Sequence, residues 1–188
     1  MYPNDEFFTE AKRKASEWAC ALLERAPATL AILDTETTGL NHWDEVIQIA
    51  AIDGAGNVLI DNFLIKPTIS IPVSAYLIHH IDDKMVENER SFPDVFPEIE
   101  KILNGKHLVI YNADYDLRIL RQSAYAANFP LDLNSITYSC AMQMYAQWYG
   151  VWNDYYGSFR WQKLQGGDHS ALGDCFATLN IIKKMAAR

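Results

Sequence analysis

The chain has 188 residues, of which 49% are hydrophobic and 21% are charged, and its formal net charge is −8. This length suffices for one domain with a full hydrophobic core, and no apolar run is long enough to cross a membrane. The negative charge argues against broad, salt-dependent binding to nucleic acid, but it does not exclude a nucleic-acid enzyme in which metal ions supply positive charge locally.

The N-terminus and the cysteines indicate a cytoplasmic protein. The first residues are acidic and lack the basic and apolar regions of a signal peptide. The three cysteines, Cys20, Cys140 and Cys175, are an odd number without C-x-x-C spacing. We therefore expect reduced structural thiols, with no disulfide and no zinc site.

The first half of the chain begins with a helix and continues with strands. Apolar residues at helical spacing predict a helix over residues 5–25, which Pro27 ends. We expect residues 1–28 to be a helix packed on the domain that residues 29–188 form. Strands that form antiparallel hairpin elements are predicted next, at residues 30–33, 45–52 and 58–65. A short helix is compatible with the connecting segment 72–81.

The second half alternates helices with short strands. Helices are predicted at residues 93–103, 114–128, 141–149 and 171–187, and strands at 107–111 and 135–138. Residues 150–167 are predicted to be irregular. The order of these elements, three strands and then alternating helices and strands, indicates an α/β fold with one mixed sheet flanked by helices.

Residues 31–40 contain the first candidate site. Their apolar residues predict a buried strand that ends in Asp34 and Glu36. Because side chains alternate along a strand, both carboxylates point the same way, and they repel each other unless a cation lies between them. The residues from Thr37 to Gly39 predict a tight turn with exposed backbone N–H groups.

Two later stretches carry further candidate ligands at the ends of elements. Asn112 ends a predicted core strand, and Asp116 lies in the first turn of the next helix. His169 precedes the last helix and Asp174 lies in its first turn, so a loop and a helix can bring both side chains to one point. Taken alone, Asp116 would be explained by a favourable interaction with the helix dipole, His169 would be an ordinary loop histidine, and Asp174 would be a solvated acid on the helix.

Other residues near these motifs are predicted to be structural. Asp168 is the more obvious cap of the last helix, and the small residues Ala171 and Gly173 leave room for a close approach. His79 and His80 are adjacent, and adjacent residues rarely face one metal ion together. We expect this pair to lie in a structural loop near the site.

Together these motifs resemble the DEDDh, or DnaQ-like, family of 3′–5′ exonucleases in the RNase H-like superfamily. The pattern is Asp34-x-Glu36 with Thr37-Thr38-Gly39, then Asn112-x-x-x-Asp116, then His169-x-Ala171-x-x-Asp174. Residues 78–81 also resemble the family's His-Gly-Ile segment, with His80 in place of glycine. The resemblance spans about residues 30–185 and implies an RNase H-like mixed five-stranded sheet flanked by helices, with an extra N-terminal helix.

The resemblance also implies a role for each motif residue. Asp34, Glu36 and Asp174 match the direct ligands of two Mg²⁺ or Mn²⁺ ions, and Asp116 matches the fourth acid. His169 matches the general base that takes a proton from the attacking water. The reaction would release nucleoside 5′-monophosphates from a 3′ end.

The motifs leave the substrate and the biological setting open. The backbone of Thr37, Thr38 and Gly39 matches the part of the family that holds the terminal nucleotide, and Asn112 is a further candidate for substrate binding. We expect DNA with a single-stranded 3′ end, but the same catalytic set serves RNA, as in RNase T-like trimming of oligoribonucleotides. A proofreading subunit of a polymerase is a further alternative. With no recognisable polymerase-binding tail, a stand-alone trimming or repair nuclease is favoured. An inactive nucleic-acid-binding module is disfavoured because every catalytic position is filled.

The stretch 147–163 holds seven aromatic residues and the cations Arg160 and Lys163. One interpretation is a platform on which the bases of a single-stranded 3′ end stack. The candidates for this platform are Trp152, Tyr155 and Tyr156, with Arg160 or Lys163 contacting phosphate. The other interpretation is that most of these rings pack the loop onto the domain.

Overall fold

The first predicted strand lies at the centre of the sheet. In the computed structural model, which describes residues 3–134 and 136–187, β1 (Leu30–Thr37) pairs antiparallel with β2 (Val46–Ile52) and parallel with β4 (His107–Ile110). The strands β3 (Val58–Leu64) and β5 (Tyr138–Cys140) complete a five-stranded sheet of order β3-β2-β1-β4-β5. The mixed α/β sheet expected from the sequence is therefore confirmed.

The edge strand β5 differs from its prediction. The predicted strand begins at Ser135, which lies outside the described residues, and ends at Tyr138, where the observed strand begins. From Tyr138 to Cys140 the chain pairs in parallel with Leu108 to Ile110 of β4. The neighbouring strand, and not the local pattern of side chains, determines where this short strand forms.

Helices cover both faces of the sheet. They are α1 (Asp5–Leu23), α2 (Val73–His79), α3 (Asp83–Val86), α4 (Phe92–Leu103), α5 (Ala113–Ala126), α6 (Ala141–Tyr149) and α7 (Ala171–Ala186). The five long helices predicted from the sequence agree with α1, α4, α5, α6 and α7 to within two residues at each end. In the described part of the chain, no helix has both the length and the apolar character needed to cross a membrane.

The alternation of side chains along β1 divides the core into two layers. Leu30 and Ile32 lie in a cluster with residues of α1, α6 and α7, whereas Leu33 lies in a cluster with residues of α4 and α5. These side chains are at most 2% exposed, and burying each contributes about 1.5–3 kcal/mol. Because a slip of one residue would exchange the two faces, this burial fixes Asp34 and Glu36 on the α7 side.

The N-terminal helix packs mainly on two other helices and shares their hydrophobic cluster with one face of the sheet. Helix α1 contacts α6 and α7, and its Ala19 and Leu22 share a hydrophobic cluster with Met185 of α7. The helix begins at a cap in which Asn4 Oδ1 accepts a hydrogen bond from the backbone N–H of Phe7 at 3.0 Å. The side chains of α1 and α7 therefore belong to one core layer.

The segment 150–167 contains a small hairpin. Its strands are β6 (Trp152–Asn153) and β7 (Ser158–Phe159), which pair antiparallel. Asn153 Oδ1 accepts a hydrogen bond from the N–H of Tyr155 at 3.1 Å, and Gly157 takes a left-handed conformation with φ of +61°. The prediction of an irregular segment was wrong at these strands, because an Asn and a Gly at turn positions close the hairpin.

Candidate active site

Three carboxylates meet at the end of β1. Asp34 and Glu36 project from one face of this strand, and Asp174 comes from the first turn of α7, which packs on β1. One oxygen atom from each carboxylate lies within 4.8 Å of the other two. The structure therefore brings together three of the acids that the motifs single out.

The loop before α7 orients Asp174. Its Oδ1 atom accepts hydrogen bonds from the backbone N–H of Asp168 at 3.1 Å and from that of His169 at 3.3 Å. Gly167 passes so close to this oxygen that a Cβ atom there would overlap it. A glycine is therefore required at this position if Asp174 is to keep its orientation.

The cap of α7 was predicted wrongly. Ser170 caps the helix, since its hydroxyl oxygen accepts a hydrogen bond from the N–H of Gly173 at 3.1 Å. Asp168 instead accepts hydrogen bonds from the N–H and the hydroxyl of Ser170, at 3.0 and 2.8 Å. The sequence predicted that Gly173 leaves room for a close approach, and the carboxylate of Asp168 occupies that room. A Cβ atom at residue 173 would overlap this carboxylate. The N–H of Ala171 donates to Gln48 Oε1 at 3.0 Å.

The fourth acid approaches from the opposite side of the sheet. Asp116 lies in the first turn of α5, is 3% exposed, and accepts a hydrogen bond from Thr35 Oγ1 at 2.8 Å. Thr35 lies between Asp34 and Glu36 in the strand, so its side chain points to the α5 side. Asp116 does not belong to the group of three close carboxylates. Asp116 therefore contacts the end of β1 from the α5 side of the sheet, through the side chain of Thr35.

Burial and mutual repulsion raise the pKa values of all four acids. Burial raises the pKa of Asp34 well above its usual range, and the charges of the other three acids raise it further. Burial, and then the charges of Asp174 and Asp116, raise the pKa of Glu36 to about 8. Burial is also the main cause of the raised pKa values of Asp116 and Asp174. A cation at this point would favour the ionised form of every member of the group.

A cavity of about 480 Å³ opens onto these acids. His169 and Asn112 both line it, and the exposed His169 has a left-handed backbone with φ of +60°. The remaining wall residues are Thr35, Tyr111, Tyr115, Met142, Gln162, Lys163, Leu164 and Gly167, and of these the sequence indicated Lys163 as a candidate for contact with phosphate. Lys163 is the only lysine or arginine among the described residues of this wall. Thr35 and Tyr111 could have been found as direct neighbours of motif residues.

A second cleft, of about 710 Å³, meets this acid-lined cavity at Thr35, Glu36 and Tyr115. Its walls come mainly from the β1–β2 loop and from α2. They include Leu40 and Trp43, which are 78% and 67% exposed. An apolar cleft joined to an acidic cavity can accommodate a flat or apolar group that is linked to an anionic one.

The turn at the end of β1 lines the second cleft. The N–H of Thr38 donates to the carbonyl oxygen of Glu45 at 2.9 Å, so the prediction of exposed N–H groups was wrong for this residue. Antiparallel pairing with β2 continues to Thr37, four residues beyond the end of the strand predicted at residues 30–33. The hydroxyls of Thr37 and Tyr115 lie 2.7 Å apart, and each lies within 3.0 Å of the carbonyl oxygen of Gly39.

The histidine pair lies at the end of α2 and not in a loop. The Nδ1 atom of buried His79 accepts a hydrogen bond from the N–H of Ile81 at 3.0 Å. The other ring nitrogen, Nε2, therefore carries the proton and donates to the carbonyl oxygen of Thr37 at 3.2 Å. His80 ends the helix with φ of +60°, a conformation that glycine adopts without strain. His79 thus links α2 to the turn beside Glu36.

The candidates of the aromatic stretch lie away from both cavities. Trp152 packs against aromatic rings of α1 and β7, with ring centroids 5.2 to 6.2 Å apart, so the packing interpretation describes this residue. Tyr155 and Tyr156 lie in the hairpin turn and are 86% and 74% exposed. Neither they nor the exposed Arg160 line the acid-lined cavity or the second cleft.

The order of the strands and the position of the acids define the class of protein. A mixed sheet of order β3-β2-β1-β4-β5, with carboxylates at the end of its central strand, is an RNase H-like fold. A family model described as an exonuclease matches residues 31–182, and the chain belongs to this exonuclease family. This membership confirms the family resemblance that the three motifs indicated.

Three known proteins illustrate the similarity. The chain is 37% identical over 170 residues to the uncharacterized exonuclease CP81 of Escherichia phage 186, a match that covers 82% of this chain and 86% of that protein. It is 34% identical over 107 residues to the DNA polymerase III subunit epsilon of Treponema pallidum, which covers 55% of this chain and 49% of that protein. The structure of exonuclease X in complex with 5′-overhanging duplex DNA superposes with a TM-score of 0.56. That match has 26% identity and covers 85% of this chain and 93% of that one.

Proposed function

We propose that this protein is a metal-dependent 3′–5′ exonuclease that removes nucleoside 5′-monophosphates from the 3′ end of a nucleic acid. The observation that carries the proposal is the convergence of Asp34, Glu36 and Asp174 within 4.8 Å, in a cavity that His169 also lines. Membership in the exonuclease family supports the same activity.

The donor set fits two Mg²⁺ or Mn²⁺ ions. Asp34, Glu36 and Asp174 offer hard carboxylate oxygens, which these ions prefer, and Asp116 adds a fourth negative charge. When bound, such ions lower the pKa of water and neutralise charge that develops on a phosphate and its leaving oxygen. The raised pKa values of the four acids support the proposal, since each acid gains from a nearby cation.

His169 is the proposed general base. It accepts a proton from the water that attacks the terminal phosphodiester. The bond from phosphorus to the 3′ oxygen of the preceding nucleotide then breaks, and that oxygen takes a proton from solvent water to become the hydroxyl of the shortened strand. His169 is exposed and lines the cavity, and its own backbone N–H donates to Asp174. The loop before α7 therefore positions both the proposed base and one acid of the cluster.

The second cleft is the proposed site of the terminal nucleoside. Because the cleft and the acid-lined cavity meet at Glu36, a phosphate beside the acids would leave the terminal sugar and base against the apolar wall. In this arrangement Thr37 and Gly39 face the sugar, and Asn112 lies on the phosphate side. Thr38 offers neither its N–H nor its hydroxyl to the sugar. Its N–H donates to the carbonyl oxygen of Glu45, and its buried hydroxyl donates to Asp44 Oδ1 at 2.9 Å and accepts from the N–H of Glu45 at 3.0 Å.

DNA with a single-stranded 3′ end is the proposed substrate. Two relatives support DNA, namely the DNA polymerase III subunit and exonuclease X, whose structure contains duplex DNA. A stand-alone trimming or repair nuclease is favoured over a proofreading subunit, because the match to the phage exonuclease extends over most of that protein. Trimming of oligoribonucleotides is the alternative, since the same acids can serve both sugars.

The test uses 5′-labelled single-stranded DNA, duplex DNA and RNA, each with Mg²⁺, Mn²⁺ or EDTA. We expect stepwise shortening of single-stranded DNA with a divalent metal, release of 5′-monophosphates and no cleavage in EDTA. Asp34→Ala should abolish cleavage, whereas Asp61→Ala, which removes an exposed carboxylate in β3, should not. Cleavage by Asp34→Ala protein or in EDTA would refute the mechanism, and faster cleavage of RNA would favour the alternative substrate.

A further inference from the structure

A third cavity, of about 500 Å³, lies between α1, α6 and the β6–β7 hairpin. Its walls present aromatic surface from Phe7, Trp152, Phe159 and Trp161, together with the polar side chains of Gln143 and Lys14. Trp161 is 70% exposed, whereas Phe7 stacks on Phe159 with ring centroids 5.6 Å apart, so Trp161 offers the most accessible ring in this wall. We call this cavity the hairpin groove.

The hairpin groove adjoins the acid-lined cavity at two separate places. In the first turn of α6, Met142 lines the acid-lined cavity and the next residue, Gln143, lines the groove. In the segment after the hairpin, Trp161 lines the groove, and Gln162 and Lys163 line the acid-lined cavity. Trp161 and Lys163 are two residues apart, so their Cα atoms are separated by about 7 Å at most. This distance corresponds to roughly two nucleotide rises of 3.4 Å.

The segment between the two cavities is anchored to the domain. The carbonyl oxygen of Gln162 accepts a hydrogen bond from the hydroxyl of Tyr111 at 2.8 Å, and the side-chain amide of Gln162 donates to the carbonyl oxygen of Arg160 at 2.8 Å. Tyr111 directly follows β4 and precedes Asn112 of the second motif. The position of Trp161 is thus tied to the same strand end that positions the acids.

The charges in the groove are compatible with an anionic strand. Glu10 is the only carboxylate among the described residues of the groove wall, and it is paired with Arg13 at 2.6 Å and with Lys14 at 3.5 Å. The remaining polar groups are amides and a hydroxyl, which bind nucleotides without strong preference for sequence. Exposed aromatic rings beside a cation are typical of surfaces on which single-stranded bases stack.

We propose that the hairpin groove binds the single strand on the 5′ side of the scissile phosphate, with a base stacked on Trp161. This inference rests on the proposed exonuclease function and specifies how that site would hold a long substrate. It replaces Trp152 as the stacking residue, because the ring of Trp152 is packed against α1 and β7. Tyr155 and Tyr156, in the exposed turn of the hairpin, would contact the strand beyond the groove.

The kinetic test compares a 20-nucleotide single strand with a dinucleotide. Trp161→Ala should raise the KM for the long strand about 5-fold to 150-fold, the range for loss of one stacked base, and leave the dinucleotide unchanged. Lys14→Glu should also raise the KM for the long strand, because it replaces a cation of the groove wall with an anion. The matched controls are Tyr125→Ala and Lys101→Glu, which alter exposed residues on α5 and α4 outside the groove. An equal rise in KM for both substrates, or an unchanged KM for the long strand, would overturn the proposal that the groove binds the strand.

A binding test separates the groove from the catalytic proposal. In an Asp34→Ala background, the anisotropy of 5′-fluorescein-labelled oligothymidylate should show weaker binding after Trp161→Ala, with an unchanged melting temperature. An unchanged affinity for the oligonucleotide would overturn the proposed role of the groove even if the protein is an active exonuclease. Weaker binding would support it even if no substrate is cleaved by the wild type. If sedimentation shows that Trp161→Ala dissociates a dimer without changing oligonucleotide affinity, the occupant is a second copy of this chain and the proposal is wrong.

Discussion

Metal-free protein should lose stability as the pH rises from 6.5 to 8. In this range the folded state holds a proton on Glu36 that the unfolded chain has already lost. Burial and the charges of Asp174 and Asp116 raise the pKa of Glu36 from 4.5 to about 8. Over this interval the folded protein therefore binds more protons than the unfolded chain, and the free energy of unfolding falls as the pH increases.

The size of the effect follows from this single shift. One pKa unit corresponds to about 1.36 kcal/mol, and between pH 6.5 and 8 the folded protein progressively loses the Glu36 proton. Integration over the interval gives a loss of about 1.6 kcal/mol, or about 3–7 °C in melting temperature for a chain of this length. Asp34 and Asp116, whose pKa values are also raised, act in the same direction.

Two histidines oppose this trend in the lower part of the interval. Burial lowers the pKa values of His79 and His107 below 6.5, so protonation of these groups destabilises the folded state. Because the unfolded histidines are still about half protonated at pH 6.5, their contribution makes stability rise with pH until about pH 7.5, by at most about 0.4 kcal/mol for each histidine. This gain is smaller than the loss from Glu36, and above about pH 7.5 the acids alone determine the slope.

The assay is chemical or thermal unfolding in EDTA at several pH values, with Glu36→Gln as the matched variant. The wild type should become less stable between pH 6.5 and 8, and Glu36→Gln should show a smaller slope and greater stability at pH 8. Added Mg²⁺ should stabilise the wild type more at pH 8 than at pH 6.5, since protons compete for the ligand oxygens. A flat profile, or equal slopes for both proteins, would show that Glu36 ionises normally and would refute the account of the acid cluster.

Three further predictions concern the neighbours of the acids and the hairpin. His169→Ala should lower the cleavage rate about 10²-fold to 10⁴-fold while Mg²⁺ still raises the melting temperature; an unchanged rate and pH profile would identify another base. Gly167→Ala should reduce cleavage far more than stability, because its Cβ would displace Asp174 Oδ1, and a normal rate would show that the loop can adjust. Trp152→Ala should lower the melting temperature and reduce cleavage of a dinucleotide and of a long strand equally, whereas a loss confined to the long strand would show that this ring binds substrate.

Several features of the site required the folded structure. The sequence predicted Asp168 as the cap of α7, but Ser170 occupies that position and Asp168 packs against Gly173. Both are good capping residues, and only the path of the preceding loop decides between them. The sequence predicted exposed N–H groups after β1, but antiparallel pairing uses the N–H of Thr38. Local patterns do not contain the position of a partner strand, so neither outcome could be read from them.

The sequence by itself determined the long helices, the places of the first four strands along the chain, and the acids Asp34 and Glu36 on one face of β1. These features depend on local periodicity and on the alternation of side chains, which a linear sequence records. Only the tertiary structure decided that Asp116 reaches the site through Thr35 from the other face of the sheet, and that Trp152 packs while Trp161 remains open. Such contacts join residues far apart in the chain, and they form only once the strands and helices pack together.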